Sequence, residues 1–432
     1  MSQADLVVRS AALAANPQEN VDLFVAKGRV LALVPSGSRP LPEGAKIVDA
    51  SGLLLLPGLS DVHVHLREPG QEWKETIATG LAAAAKGGFV NVMCMANTDP
   101  VNDQASITET MLDKAARSHP KGPRLFPVGA LTMGLEGKTL APMEELKSAG
   151  CKAFSNDGRP VADTELFRRA LEYASDLGIP VIDHCEDPHL APASGINEGV
   201  VSARLGLRGH PAAGEAIQVA RDCLLAEYLG VPIHLAHISS KMSVDVIRQA
   251  KAKGALVTAE TCPHYLILTD EACETYDTNA KVNPPLRTRE DQRALLAALE
   301  DGTIDALATD HAPHAAHEKE TPFDEAPNGI SGLETALSVT WGLVARGELS
   351  AKALVSAWCV RPAEIFALPL NRFQEGDPAD FVLFDPSARW TVTAQSLVSK
   401  GKNTPLLGRE LTGQVKSAFV AGKNTLLTRE SS

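Results

Sequence analysis

No two cysteines stand in a C-x-x-C pair anywhere in these 432 residues, although there are seven: Cys94, Cys151, Cys185, Cys223, Cys262, Cys273 and Cys359. Their odd number and scattered spacing exclude a disulfide framework. They predict a reducing cytoplasm in which cysteine serves as a small buried apolar residue. No stretch approaches the roughly 20 consecutive apolar residues that span a bilayer. The opening MSQADLVVRS acquires an acidic residue early and lacks a long apolar core, so no secretory signal is expected. Positive charge is not in excess: 41 Lys and Arg face 53 Asp and Glu, a net charge of −12. With both signs mixed along the chain, this disfavours nucleic-acid and anionic-membrane partners. Internal repeats and low-complexity tracts are absent as well.

What is present is an ordinary globular composition, 44% hydrophobic and 22% charged, in a chain too long for one simple core. From residue 53 onward, apolar runs alternate with helical patterns. The runs are LLLLPGLSDVHVH, FVNVMCMA, RLFPVGAL, CKAFSND, IPVIDHCED, VPIHLAHIS, GALVTAETCPH and IDALATDHAPH. Helical stretches such as TIATGLAAAAKGG, DTELFRRALEYASDLG and SVDVIRQAKAKG lie between them and end in glycine, as helix C-termini often do. Eight such alternations match the size of a (β/α)8 TIM-type barrel, with a doubly wound open sheet as the competing fold. The ends read as strands: ADLVVRSAALA and VDLFVAKGRVLALV at the start, ADFVLFD, RWTVT and VKSAFVAGKNTLL at the finish. We therefore expect residues 1–56 and 366–432 to pair into one small β-sandwich around a barrel of residues 57–365.

Active sites of such barrels sit at the C-terminal ends of the strands. There the sequence places His63 and His65, Asp157, His184, His237 and Asp310. Side chains alternate along a strand, so His63 and His65 face one way, about 6.6 Å apart in rise. Each residue alone has a plain explanation: a strand-end histidine is usually hydrogen-bonded, and an aspartate after a strand usually caps the next helix. Six together, each at the same end of an expected barrel strand, do not. Four histidines and two aspartates suit zinc better than magnesium or calcium. They exceed the needs of one tetrahedral ion, which points to two zincs sharing a carboxylate.

Of the other histidines, His234 lies three residues before His237 and should face away from it, and His311 should point away from Asp310. His119, His189, His210 and His317 are expected to be solvated. His264 follows the seventh run and could line the mouth, and His314 is the most credible addition to the site. Arg67, two residues beyond His65, would be unfavourable beside a metal pair unless an anion compensates, and its fork matches a carboxylate. Arg67, Asn97 and His314 then form a corner for a small anionic substrate with a hydrolysable amide.

With those residues in hand, the chain resembles the dihydroorotases, within the amidohydrolase superfamily of metal-dependent barrels. DVHVHLREPG, NTDPVND, AFSNDGRPV, DHCED, HLAHIS, KVNPPLR, ATDHAPH and PNGISGLE carry the resemblance over nearly the whole length. It implies reversible closure of N-carbamoyl-L-aspartate to L-dihydroorotate, a step of pyrimidine (UMP) synthesis, with one or two zincs per chain. His63, His65, Asp157 and Asp310 are implied to hold one zinc, and Asp157, His184 and His237 the other, with Asp310 as acid/base. His65, Arg67, Asn97, Asn283, His314, Asn328 and Gly329 are implied to meet the substrate. A homodimer or a complex with aspartate transcarbamoylase is the family-level expectation for partners. Hydantoinases and many relatives bridge their metals with a carboxylated lysine in a G-x-x-x-F-K type segment. Here GCKAFSND puts Ser155 after Phe154, and Lys152 is three residues early with the opposite strand parity. Bridging is left to Asp157. Arg67 and the missing lysine argue against a hydantoinase, dihydropyrimidinase or allantoinase. The complete ligand set argues against a non-catalytic scaffold.

Overall fold

The structure is a computed structural model that describes residues 3–191 and 195–426. Eight parallel strands hydrogen-bond in sequence order: Leu59–Val64, Phe89–Cys94, Arg124–Ala130, Ala153–Ser155, Val181–Asp183, Ile233–Leu235, Val257–Thr261 and Ala306–Leu307. A parallel bridge between Val64 and His311, with His65 N donating to the His311 carbonyl at 2.8 Å, joins the last strand to the first. The sheet is therefore a barrel, as expected, and the open doubly wound alternative is excluded.

Local sequence explains the helices that cover it. Thr76 caps helix Ile77–Gly87 in a reciprocal bond with Thr79, and Gly88 ends it with φ 90°. Asp163, not Asp157, caps helix Thr164–Leu177, which Gly178 ends at φ 66°. The barrel's inside is filled by one small apolar residue from most strands, among them Val62, Met93, Val128, Ala153 and Ile182, with Phe366 and Leu368 packed against them. The outward-facing residues join the helices in a separate, larger core.

Both chain ends do pair, in one continuous eight-stranded sheet. Leu6–Leu13 runs beside Leu54–Pro57, and Leu54–Pro57 runs antiparallel to Phe381–Thr391 in a register that places Leu56 opposite Val382. The run LLLLPGLSDVHVH is thus two strands in two sheets, where the sequence reads as one. Gly58 lies at the division, where no side chain fits because a Cβ would stand 2.4 Å from the Val90 side chain. Phe381 and Phe419 stack in the core of the end sheet with centroids 4.4 Å apart. Leu427, the last residue of VKSAFVAGKNTLL, lies outside the described residues, as do the first two residues of the chain. All seven cysteines are free and buried, and among the described residues no helix is long and apolar enough to cross a membrane.

Two histidines expected in solvent are buried. His119 turns inward because its Nε2 reaches the Ala78 carbonyl at 3.1 Å. His210 is enclosed beside the Arg287 guanidinium, which donates to the His210 carbonyl at 2.6 Å, and neither ring nitrogen of His210 has a partner. Burial, reinforced by the Arg287 charge, pulls the His210 pKa from 6.5 down to about 4. A lowered pKa means that the folded state resists a proton the unfolded chain accepts. The associated stability is present above about pH 6.5 and is lost as pH falls toward 4, amounting to about 2 kcal/mol by pH 5. His210→Leu should therefore show a loss of stability between pH 7 and pH 5 that is smaller than wild type by about that amount. Urea unfolding at the two pH values checks this, and identical pH dependence in both proteins would contradict it.

Candidate active site

The strand Leu59–Val64 does not deliver its histidines by simple alternation. Against the neighbouring strand, Asp61 pairs with Val92 and Val64 with Cys94, so three steps on one side match two on the other. This is a β-bulge, which re-aims the side chains that follow it. Val62 and His63 both face the interior, Val64 joins the outer core, and His65 faces inward again.

The six strand-end residues converge. His63 Nε2 lies 3.3 Å from Asp157 Oδ1, and His65 Nε2 lies 3.6 Å from Asp157 Oδ2. His184 Nδ1 and His237 Nε2 each stand 3.4 Å from Asp157 Oδ1. Asp310 Oδ1 is 3.0 Å from His65 Nε2 and 3.8 Å from His63 Nε2. Two triads can each hold a metal ion: His63, His65 and Asp157, and then Asp157, His184 and His237. Three site residues, Arg67, His237 and Asp310, occupy the left-handed backbone region at φ 62°, 34° and 46°. Such strain persists where the surroundings fix it, and it gathers at functional sites.

The donor set fits metal. Two ligand atoms each about 2.1 Å from one ion stand about 3.0–3.4 Å apart at angles between octahedral and tetrahedral, close to most of the spacings found. His63 Nε2, His184 Nδ1 and Asp157 Oδ1 are buried with no hydrogen-bond partner among the described residues, so these lone pairs are left for an ion. The opposite ring nitrogens are engaged. His63 Nδ1 meets Glu260 Oε1 at 2.9 Å, His65 Nδ1 meets Asn97 Oδ1 at 2.9 Å, and His184 Nε2 meets Glu186 Oε2 at 3.4 Å. Each acceptor fixes the tautomer that presents a bare nitrogen inward. Burial opposes ionisation of Asp157, but the imidazoles gathered around it, His63 foremost, outweigh it and hold its pKa well below the usual range. Burial likewise opposes charge on Asp310, yet the imidazoles beside it, His65 first and then His63, keep its pKa below the ordinary carboxylate value.

A cavity of about 180 Å³ opens over this cluster and is lined by His65, Arg67, Asn97, Asp157, His184, His237, Asn283, Asp310, Asn328 and Gly329. The Arg67 guanidinium donates through Nε to the Pro313 carbonyl at 3.2 Å and, among the described residues, makes no ion pair with a carboxylate. With Asn97 Oδ1 engaged by His65, the Asn97 amide nitrogen has no partner among the described residues and is left to the cavity. Asn283 Nδ2 donates to Glu186 at 2.6 Å, leaving its oxygen as an acceptor, and Asn328 Oδ1 is buried and unpartnered. Gly329 has φ 143°, and a Cβ there would lie 2.7 Å from Ala312; its N–H is committed to the Lys281 carbonyl at 2.9 Å. The structure places His314 behind the cavity wall, donating from Nε2 to the Asn328 carbonyl at 2.9 Å. Burial and then the Arg67 charge pull its pKa to about 2, so it is neutral. Lys152 shares its side of the strand with Phe154, which packs in the outer core.

Sequence reasoning passed over the supports. Glu260 joins His63 to His234, whose Nε2 lies 3.0 Å from Glu260 Oε2, so His234 serves the site one layer back. An acidic residue inside the apolar run GALVTAETCPH was a readable signal for it. Lys319 is buried, donates to the Thr278 and Pro327 carbonyls at 3.0 and 2.7 Å, and steadies the loop that leads to Asn328. His264 is buried but does not line the cavity.

Residues 52–243 match the family model described as Dihydro-orotase-like. The chain is 51% identical over 408 residues to the dihydroorotase of Geotalea daltonii, covering 94% of this chain and 95% of that protein. It is 50% identical to the dihydroorotase of Geobacter metallireducens, covering 94% and 95%. Among solved structures, the L-hydantoinase (dihydropyrimidinase) of Arthrobacter aurescens superposes with a TM-score of 0.86 at 24% identity, covering 98% of this chain and 96% of that one. At that identity the likeness speaks for the fold.

Proposed function

The chain belongs to the dihydroorotase family, and on that footing we propose that it closes N-carbamoyl-L-aspartate reversibly to L-dihydroorotate, a step of pyrimidine synthesis. The observation that carries the reading is Arg67, a half-buried cation without a carboxylate partner among the described residues, on the wall of the cavity above the paired ligand triads. A substrate that is both an anion and a cyclic amide satisfies the two halves at once.

Zinc is the ion that His63, His65, Asp157, His184, His237 and Asp310 suit. Held there, a zinc pair would supply Lewis-acid polarisation of the carbonyl and acidify a water toward about pH 7. The residues do the rest. Arg67 and the Asn97 amide grip the substrate carboxylate, which the family pattern also assigns to His314. Here His314 acts through the Asn328 carbonyl, to which its Nε2 donates. Asn283 Oδ1, Asn328 Oδ1 and the Gly329 carbonyl offer acceptors for the ring N–H groups. In the hydrolytic direction Asp310 takes the proton of the attacking water and returns it to the ring nitrogen as the C–N bond breaks. Ring closure reverses the transfer. The same reading places the enzyme in the cytoplasm. It also includes a second copy or aspartate transcarbamoylase as partner, supported by Ile217, Leu224 and Tyr228, which are exposed along helix Ala212–Leu229.

The test is a spectrophotometric assay with dihydroorotate on metal-loaded protein, run beside neutral dihydrouracil. Turnover of the first and little of the second is expected. Arg67→Met should weaken dihydroorotate binding by about 2–5 kcal/mol, the scale for breaking a buried charge-assisted pair, and leave the neutral compound almost unaffected. Equal losses for both compounds would show that Arg67 does not read the carboxylate.

A further inference from the structure

Asn403 stands on the segment between the strands Phe381–Thr391 and Glu410–Val420 of the end sheet, outside the barrel. It is 4% exposed, and its amide uses its full hydrogen-bonding capacity. Its Nδ2 donates to the carbonyls of Ala312 and Gly329, both at 3.0 Å. Its Oδ1 accepts from His314 N at 2.8 Å and from Ser331 Oγ at 2.9 Å. Ser331 N donates to the Asn403 carbonyl at 2.8 Å. One side chain thus clamps the loop after the last barrel strand, residues 311–314, to the loop 328–331.

Those two loops make one wall of the substrate cavity. The first carries Pro313, whose carbonyl holds Arg67, and His314; the second carries Asn328 and Gly329. The clamp is itself anchored. Glu75 accepts from Ser399 Oγ and Lys400 N, and Glu334 accepts from the backbone of Val398 and Ser399. Gly401 lies so close that a Cβ would stand 2.8 Å from His314 N. Asn403 belongs to neither metal-holding triad and does not line the cavity.

We propose that Asn403 is a positioning residue, lent to the barrel by the end sheet, that holds the carboxylate-reading and ring-reading loops in register. The inference rests on the dihydroorotase reading. Misplacing a wall that grips the substrate carboxylate and ring amides, while the metal ligands and Asp310 stay in place, raises KM more than it slows the chemical step.

The test compares wild type, Asn403→Ala, Asn403→Asp and Ser331→Ala, all metal-loaded, for kcat, KM and bound metal. The aspartate keeps both acceptor bonds but turns an oxygen toward two carbonyls, and Ser331→Ala removes one bond to Oδ1. Asn403→Ala and Asn403→Asp should raise the KM for dihydroorotate by more than about tenfold, with kcat within about threefold and metal unchanged. Ser331→Ala should shift KM the same way by less, which keeps the question answerable if Asn403→Ala does not fold. An unchanged KM in the folded variants, or equal loss of kcat and metal, overturns the proposal while the dihydroorotase reading stands. A wild-type protein that leaves dihydroorotate untouched ends both.

Discussion

Asp310→Asn should retain bound metal and lose turnover of dihydroorotate by about a thousandfold, within the range for removal of a positioned acid/base. The argument starts from the backbone. Asp310 follows the last barrel strand at φ 46°, a conformation that costs energy in a non-glycine residue and aims the carboxylate inward. The buried carboxylate is held below its ordinary pKa by His65, 3.0 Å away, and the other imidazoles, so it is an acceptor at neutral pH. Asparagine has nearly the same size and keeps an oxygen for the cluster but cannot carry the proton. Asp157 and four histidines remain as ligands. Single-turnover kinetics with metal analysis separates the two effects, and a kcat within a few-fold of wild type would remove Asp310 from the role.

Asp157→Ala should weaken metal binding by more than about a hundredfold, beyond the loss that outer supporting residues cause. Asp157 is the one carboxylate within 3.3–3.6 Å of four imidazoles, His63, His65, His184 and His237, and its removal deletes a ligand from both triads. Lys152→Ala is the control. Lys152 lies on the outer side of its strand with Phe154, so its loss should change activity by no more than about twofold, the scale of a neutral surface substitution. A carboxylated Lys152 acting as the bridge would invert the pattern: Lys152→Ala would collapse, and short-chain carboxylic acids would rescue it.

The strand ends were legible because a barrel puts chemistry at one end of each apolar run, a local rule. His63, His65, Asp157, His184, His237 and Asp310 could be read from that rule and do meet in space. The bulge at Asp61–Val64 was not legible, because period-two alternation also sends His63 and His65 to one side, and only the neighbouring strand reveals the extra residue. The division of LLLLPGLSDVHVH at Gly58 was hidden in the same way, since both halves are apolar and only their partners differ. His119 and His210 were misplaced because a histidine in a polar loop looks solvated until distant residues cover it, as Arg287 covers His210. Asn403 lies 74 residues from Gly329 and 91 from Ala312, and nothing near it in the chain announces the loops it joins.

The central claim is that this chain builds a complete metal-dependent ring-opening site from unmodified side chains. The most direct measurement strips the protein with chelator and titrates it with zinc in bicarbonate-free buffer, following bound metal and dihydroorotate hydrolysis together. The account predicts no turnover in the stripped protein and recovery in step with zinc bound, with no gain on adding bicarbonate. Full activity without metal, or recovery only when bicarbonate is supplied, would contradict it.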